Sequence, residues 1–123
     1  MSNLQREMCE LEEKLLHTDF SKHPELLEHL LAAEFTEINA SGLTGSRAAV
    51  CQWLLQKDKA ARWRLSELVV TELQPLMRLV NYHASQIAPV PSASKGALHS
   101  SIWNFNQQRQ CWQLRFHQAT KVL

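Results

Sequence analysis

Four side chains in this 123-residue sequence, Glu37, Tyr82, His99 and His117, are of the types that move protons or hold a polar ligand group. Trp103 joins them as a candidate aromatic wall. Proton transfer beside a carbonyl demands a base whose pKa is lifted toward neutrality by apolar walls, and a donor aimed at the developing oxyanion. Glu37 is the candidate base, because it lies among the β-formers of Phe35-Thr36-Glu37-Ile38-Asn39-Ala40. Alternation sets Phe35, Glu37 and Asn39 on one face and Thr36 with Ile38 on the other. The competing reading leaves Glu37 in solvent or paired with an arginine such as Arg47, and an ionised, paired carboxylate is no base. Tyr82, His99 and His117 are the candidate donors. Tyr82 and His83 are adjacent, so they point to opposite faces, with Tyr82 sharing its face with Arg78 and Val80. His99 shares a face with Ser101, Trp103 and Phe105. The competing readings are an ordinary core tyrosine and histidines held in a hydrogen-bond network.

Other chemistries find little support. His17, His23 and His29 are six apart, which matches neither helical ligand spacing, and no HExxH occurs, so no metal site is expected and these three read as solvated surface histidines. There is no GxGxxG, no GxxxxGK[ST] and no GxSxG, so neither a nucleotide cofactor nor a nucleophile elbow is expected. Cys9, Cys51 and Cys111 form no CxxC pair and are expected to be reduced, mostly buried thiols.

A chain of this length suits one domain, residues 1–123, and 45% apolar with 20% charged residues is the balance of a folded globular protein. No apolar run approaches the roughly 20 residues that span a bilayer, and residues 1–13 are polar and helix-patterned rather than a leader, so a cytoplasmic protein is expected. The net charge of +1 hides an asymmetry. Residues 1–40 hold nine acids against three bases, and residues 41–123 hold ten bases against three acids. The bases are scattered singly, so nucleic-acid binding is not expected. Opposite charge on the two parts instead steers their packing or favours an anionic ligand.

The elements that must position these residues follow from periodicity. Leu4, Met8, Leu11 and Leu15 make one stripe of a helix, capped by Ser2 with Gln5 and fading near His17. A second helix opens at Pro24, with Leu27, Leu30, Leu31 and Glu34 at helical spacing. A strand over residues 35–40 ends at Ser41-Gly42. Ser46 caps a third helix whose apolar face is Val50, Trp53 and Leu54. Strands are then expected over residues 64–73, 76–87, 97–105 and 111–118, with a loop over residues 88–96. This order predicts an α+β domain with its helices on one side of a sheet. Leu65, Val69 and Leu73 fall on one face of their strand and Leu68 with Val70 on the other. Trp112, Leu114 and Phe116 alternate with Cys111 and Gln113. A sheet apolar on both faces, with helices enough for one, predicts a homodimer through the outer face.

Phe35-Thr-Glu-Ile-Asn-Ala-Ser-Gly42, Arg47 opening a helix, Ser100-Ser-Ile-Trp103 and Trp112-Gln-Leu-Arg-Phe-His-Gln-Ala-Thr120 together resemble the nuclear-transport-factor-2-like superfamily. Within it they look closest to the small bacterial branch of unknown function related to polyketide-cyclase-like (SnoaL-like) proteins. The resemblance covers roughly residues 8 to 121. It departs at Ala119 and His99, where the family typically shows Gly and often Arg. It implies a cystatin-like cone, a strongly curved mixed sheet wrapped around a pocket that three helices close. It also implies functional spread, since this fold hosts isomerases, cyclases and dehydratases alongside proteins that only bind. The expected role is therefore binding of a small organic molecule without a cofactor, by Glu37, Tyr82, His99, Trp103 and His117. The alternatives are a proton-transfer enzyme acting on a small carbonyl compound, and an interaction module with a vestigial pocket.

Overall fold

A computed structural model describes residues 1–123. The elements run α1 (Asn3–His17), α2 (Glu25–Leu30), β1 (Leu31–Ile38), β2 (Thr44–Ser46), α3 (Arg47–Gln56), β3 (Arg62–Gln74), β4 (Met77–Ala88), β5 (Ala97–Asn106) and β6 (Cys111–Lys121). The strands form one curled, unclosed sheet in the order β2-β1-β6-β5-β4-β3. Only β1 and β6 pair in parallel, so the sheet is mixed.

The helix starts follow the capping chemistry. Ser2 Oγ accepts the Gln5 N–H at 3.1 Å while Gln5 Oε1 accepts the Ser2 N–H at 2.9 Å, a closed capping box. Ser46 Oγ likewise accepts the Ala49 N–H at the start of α3. Helix α1 buries Met8, Glu12 and Leu15. At its end His17 Nε2 accepts the backbone N–H of Trp63 at 3.0 Å. His17 is thus a half-buried clip between α1 and β3, not the solvated histidine expected.

Helix α2 stops at Leu30 rather than running on through Glu34. The helix preference of Ala32-Ala33-Glu34 is worth only a few tenths of a kcal/mol per residue. Against it stand the pairing of Leu31 with Leu114 and two bonds from Arg47, whose Nε and NH2 donate to the carbonyls of Ala32 and Leu31 at 3.1 and 3.3 Å. Strand β2 was not expected; its three residues are too few to show a period. Asn39 builds the turn before it, with Oδ1 accepting the N–H groups of Ser41 and Leu43, and Gly42 supplies φ +82°.

Two bulges change which residues share a face. In β3 the register shifts between Ser66 and Val69, around Glu67 at φ 56°. Leu65 therefore lies opposite Ala84 and Val70 opposite Val80, on the helix side, while Val69 lies opposite Asn81 on the outer side. In β6 Leu114 pairs with Trp103 but Phe116 pairs with Ile102, so Arg115 is the extra residue. Strict alternation would keep Phe116 with Leu114 and turn His117 outward. The bulge instead puts Phe116 outside and His117 inside, opposite Ser101.

The core between α1 and the inner face contains Met8, Phe20, Leu31, Phe35, Val80 and Trp103, all 2% exposed or less. One end of the cone is filled by Phe105 edge-on to Trp112, with the Arg78 guanidinium 4.0 Å above the Trp112 ring and bonded to Glu7 at 2.6 Å. Val50 and Leu54 of α3 are buried, but Trp53 is 59% exposed, a departure from the expected apolar face. The charge asymmetry has a structural counterpart: Glu7–Arg78, Asp19–Lys59, Glu28–Arg47 and Glu34–Arg115 each join an acid of the first 40 residues to a base of the remainder. Each is partly exposed and contributes no more than about 1 kcal/mol. Cys9, Cys51 and Cys111 are free and half-buried rather than mostly buried. No helix is long and apolar enough to cross a membrane.

Candidate functional site

The concave face of the sheet, α1 and α3 line an open cavity of about 550 Å³ whose walls are mostly hydrophobic. Glu12, Glu37, Tyr82, His99 and His117 are among its walls.

Strand register explains how they meet. Tyr82 pairs directly with His99 across β4 and β5, and their rings stack at 4.8 Å with 11° between planes. His99 pairs with Ala119 and Ser101 with His117, which makes His99 and His117 diagonal neighbours on one face. The small Ala119 leaves room opposite His99, and His99 Nδ1 lies 2.8 Å from His117 Nε2. His117 pairs with Glu37 across the parallel β6–β1 contact, and its Nδ1 lies 3.0 Å from Glu37 Oε2. One row therefore runs across four strands: Tyr82, His99, His117, Glu37. Asn39, on the same face as Glu37, also lines the cavity. Arg47 bonds the carbonyls of Leu31 and Ala32 and pairs with Glu28, so the partner of Glu37 is His117.

Glu12 is the polar side chain of the cavity wall that strand reasoning missed. It is 2% exposed; Oε1 accepts the Tyr82 hydroxyl at 2.8 Å and Oε2 accepts the Trp103 indole N–H at 2.7 Å. A signal was present in the sequence. Glu12 falls on the Met8–Leu15 stripe, four residues after one and three before the other, where an apolar residue is expected. Trp103 is 0% exposed and does not reach the cavity; its place is behind Glu12, holding the carboxylate. Ser101 Oγ, also sealed, has no hydrogen-bond partner.

Burial dominates the electrostatics here. It pushes the Glu12 carboxyl above the usual carboxylate range, against the Trp103 donor, the neighbouring His117 and the Tyr82 hydroxyl, which all pull it down. It likewise raises the Tyr82 hydroxyl, with the Glu12 charge adding to the effect. Burial lowers His99 to about 4, helped by the neighbouring His117 and His83. At neutral pH His99 is therefore a neutral imidazole, able to accept at one nitrogen and donate at the other.

No protein-family model matches the sequence, and no curated protein is similar enough to match it. Solved structures do match over nearly the whole chain. A nuclear-transport-factor-2-like protein of unknown function in nutrient uptake from Rhodospirillum rubrum superposes with a TM-score of 0.73 at 18% identity, covering 94% of this chain and 98% of its own. A nuclear-transport-factor-2-like protein from Cytophaga hutchinsonii gives 0.73 at 16% identity, covering 99% and 100%. This chain has the nuclear-transport-factor-2-like fold. A candidate ketosteroid isomerase from Parabacteroides distasonis is similar to the same cone, with a TM-score of 0.71 at 12% identity over 98% of this chain and 89% of its own. Identities this low speak to the architecture and leave the chemistry to the side chains of the cavity.

Proposed function

We propose that this nuclear-transport-factor-2-like cone binds a small, largely apolar organic molecule carrying one polar group, and that it works as a homodimer paired through the outer sheet face. The observation that supports binding is the cavity itself: about 550 Å³, mostly apolar, with four of its five titratable groups gathered in one row. Small-molecule sites commonly measure about 300–1,000 Å³ and combine apolar walls with a few convergent polar groups. An interaction module with a vestigial pocket fits less well, because that reading calls for a cone filled by side chains. For the dimer, the support is the outer face, where Val69 and Leu98 are 55% and 53% exposed beside Leu79, Ile102 and Phe116.

Binding is tested by a thermal-shift screen of aromatic alcohols, ketones and carboxylates against the wild type and Ala119→Phe, which places a ring inside the cavity opposite His99. A ligand at about 100 times its Kd stabilises the fold by roughly 2.7 kcal/mol. Shifts present in the wild type and absent from a folded Ala119→Phe support the site. Equal shifts in both place the ligand elsewhere.

A second reading, proton transfer on a small carbonyl compound by an isomerase, cyclase or dehydratase, draws on the Glu37–His117–His99 row. A proton taken from a substrate by His99 Nε2 can be balanced by passing the Nδ1 proton to His117 and the His117 Nδ1 proton to Glu37. The ketosteroid isomerase candidate with the same cone is consistent with such chemistry. Hydrogen–deuterium exchange at the α-carbon of bound ketones tests it: exchange in the wild type that falls at least tenfold in Glu37→Gln supports catalysis, and no exchange with a ketone demonstrably bound removes it.

A further inference from the structure

With Glu37 ionised and His117 neutral, the hydrogen bonds along the polar row run in one direction. An ionised carboxylate only accepts, so His117 Nδ1 donates to Glu37 Oε2 across 3.0 Å. A neutral imidazole protonated on Nδ1 has a bare Nε2, so His117 Nε2 accepts and His99 Nδ1 donates across 2.8 Å. The same rule then leaves His99 Nε2 bare. That nitrogen has no partner in the protein, and it is not sealed from the surrounding space. The stack on Tyr82 and the bond to His117 hold the ring against rotation. The neighbouring polar groups offer the cavity no free donor: the Tyr82 hydroxyl and the Trp103 indole N–H are both committed to Glu12, and the unpartnered Ser101 hydroxyl is sealed from it. Asn39, Thr44 and Trp63 also line the cavity and can donate, but they stand outside the row, on the β1–β2 connection, β2 and the far edge strand β3.

We infer that the row presents an acceptor, the bare Nε2 of His99, and that the cavity selects ligands whose polar end is a hydroxyl donor, such as a phenol or enol on an apolar body, over matching ethers and ketones. The inference rests on the cavity being a binding site and narrows what that site takes. Glu37 is a positioning residue in it: two bonds away from the ligand, it sets the tautomer of both imidazoles. His99, which touches the ligand, reads the donor. Burial reinforces the arrangement by keeping His99 neutral at physiological pH.

The test pairs a spectrum with a ligand series. In ¹⁵N-labelled protein without ligand, long-range ¹⁵N–¹H correlations are expected to show His99 protonated on Nδ1 and bare on Nε2; a proton on Nε2 overturns the inference. For binding, 2-naphthol, 2-methoxynaphthalene and 2-acetonaphthone are compared by calorimetry. One added hydrogen bond is worth about tenfold in affinity. The expected result is a Kd for 2-naphthol about tenfold below those of the ether and the ketone, with the advantage gone in His99→Phe, which keeps a ring stacked on Tyr82. Equal affinities for all three overturn donor selection while leaving the binding site intact. Tighter binding of the ketone shows that the site donates and also overturns it. Binding of none of the three removes the small-molecule reading together with this one.

Discussion

Replacing Glu12 tests whether a buried acid on α1 holds the cavity wall together. In Glu12→Ala the Tyr82 hydroxyl and the Trp103 indole N–H, now bonded at 2.8 and 2.7 Å, lose their acceptors. Each buried donor left unpaired costs about 1–3 kcal/mol. Water entering from the adjacent cavity offsets part of this, so the net loss is expected near the lower end, about 2–3 kcal/mol. In a chain of this size that lowers Tm by about 10 °C. Glu12→Gln should behave differently. Its carbonyl oxygen can accept from Trp103, its amide can donate to the Tyr82 oxygen, and the released Tyr82 proton can turn to Ser101 Oγ, which lies beside both and has no partner. Removing a charge from a buried site also removes its desolvation penalty. Glu12→Gln is therefore expected within about 1 kcal/mol of the wild type. The pH dependence gives an independent readout. The native Glu12 keeps its proton to higher pH than the unfolded chain, whose value is 4.5, so its contribution to stability falls as pH rises above that value through the native pKa. Glu12→Gln abolishes that slope. Urea denaturation of the three proteins from pH 4 to 8 decides the matter. If Glu12→Gln loses as much as Glu12→Ala, the charge rather than the hydrogen-bond geometry is what the site needs, and the reasoning fails.

His99 slopes the other way: the unfolded chain takes up its proton at 6.5 and the native state only near 4, so stability declines as pH falls across that window, by up to about 3 kcal/mol, and His99→Phe should flatten this in the same titration. At Gly96, φ is +82° and an added Cβ would lie 2.5 Å from the Ala84 carbonyl oxygen and 2.7 Å from His83 Nε2, whereas Gly42 at the same φ faces open space. Gly42→Ala is expected to cost about 1 kcal/mol and Gly96→Ala clearly more, measured by denaturant midpoint; equal costs would contradict the packing described. Sedimentation velocity at micromolar concentration should show a dimer that Leu98→Glu converts to a folded monomer, and a monomeric wild type removes the outer-face pairing.

How much of this was legible in the sequence depends on the range of the forces involved. The capping box at Ser2 and the cap at Ser46 are local chemistry and were read directly. The α2–β1 boundary was not, because Ala32-Ala33-Glu34 carries a helical preference that only the pairing with β6 and the Arg47 side chain, 15 residues away, overrules. Glu12 announced itself as a carboxylate on an apolar stripe, yet its partners, 70 and 91 residues downstream, gave no sign in the sequence.

The sequence by itself determined the order of every element but β2, the faces of β4 and β5 and hence the shared side of His99, Ser101 and Trp103, since alternation over an unbroken strand has a fixed period. Tertiary structure alone decided what lies beyond a bulge. One extra residue at Arg115 reverses the parity of β6, brings His117 to the inside between His99 and Glu37, and turns Phe116 out. A bulge forms where the curvature of the whole sheet requires it, so the row of Tyr82, His99, His117 and Glu37 becomes one site only once the sheet has curled.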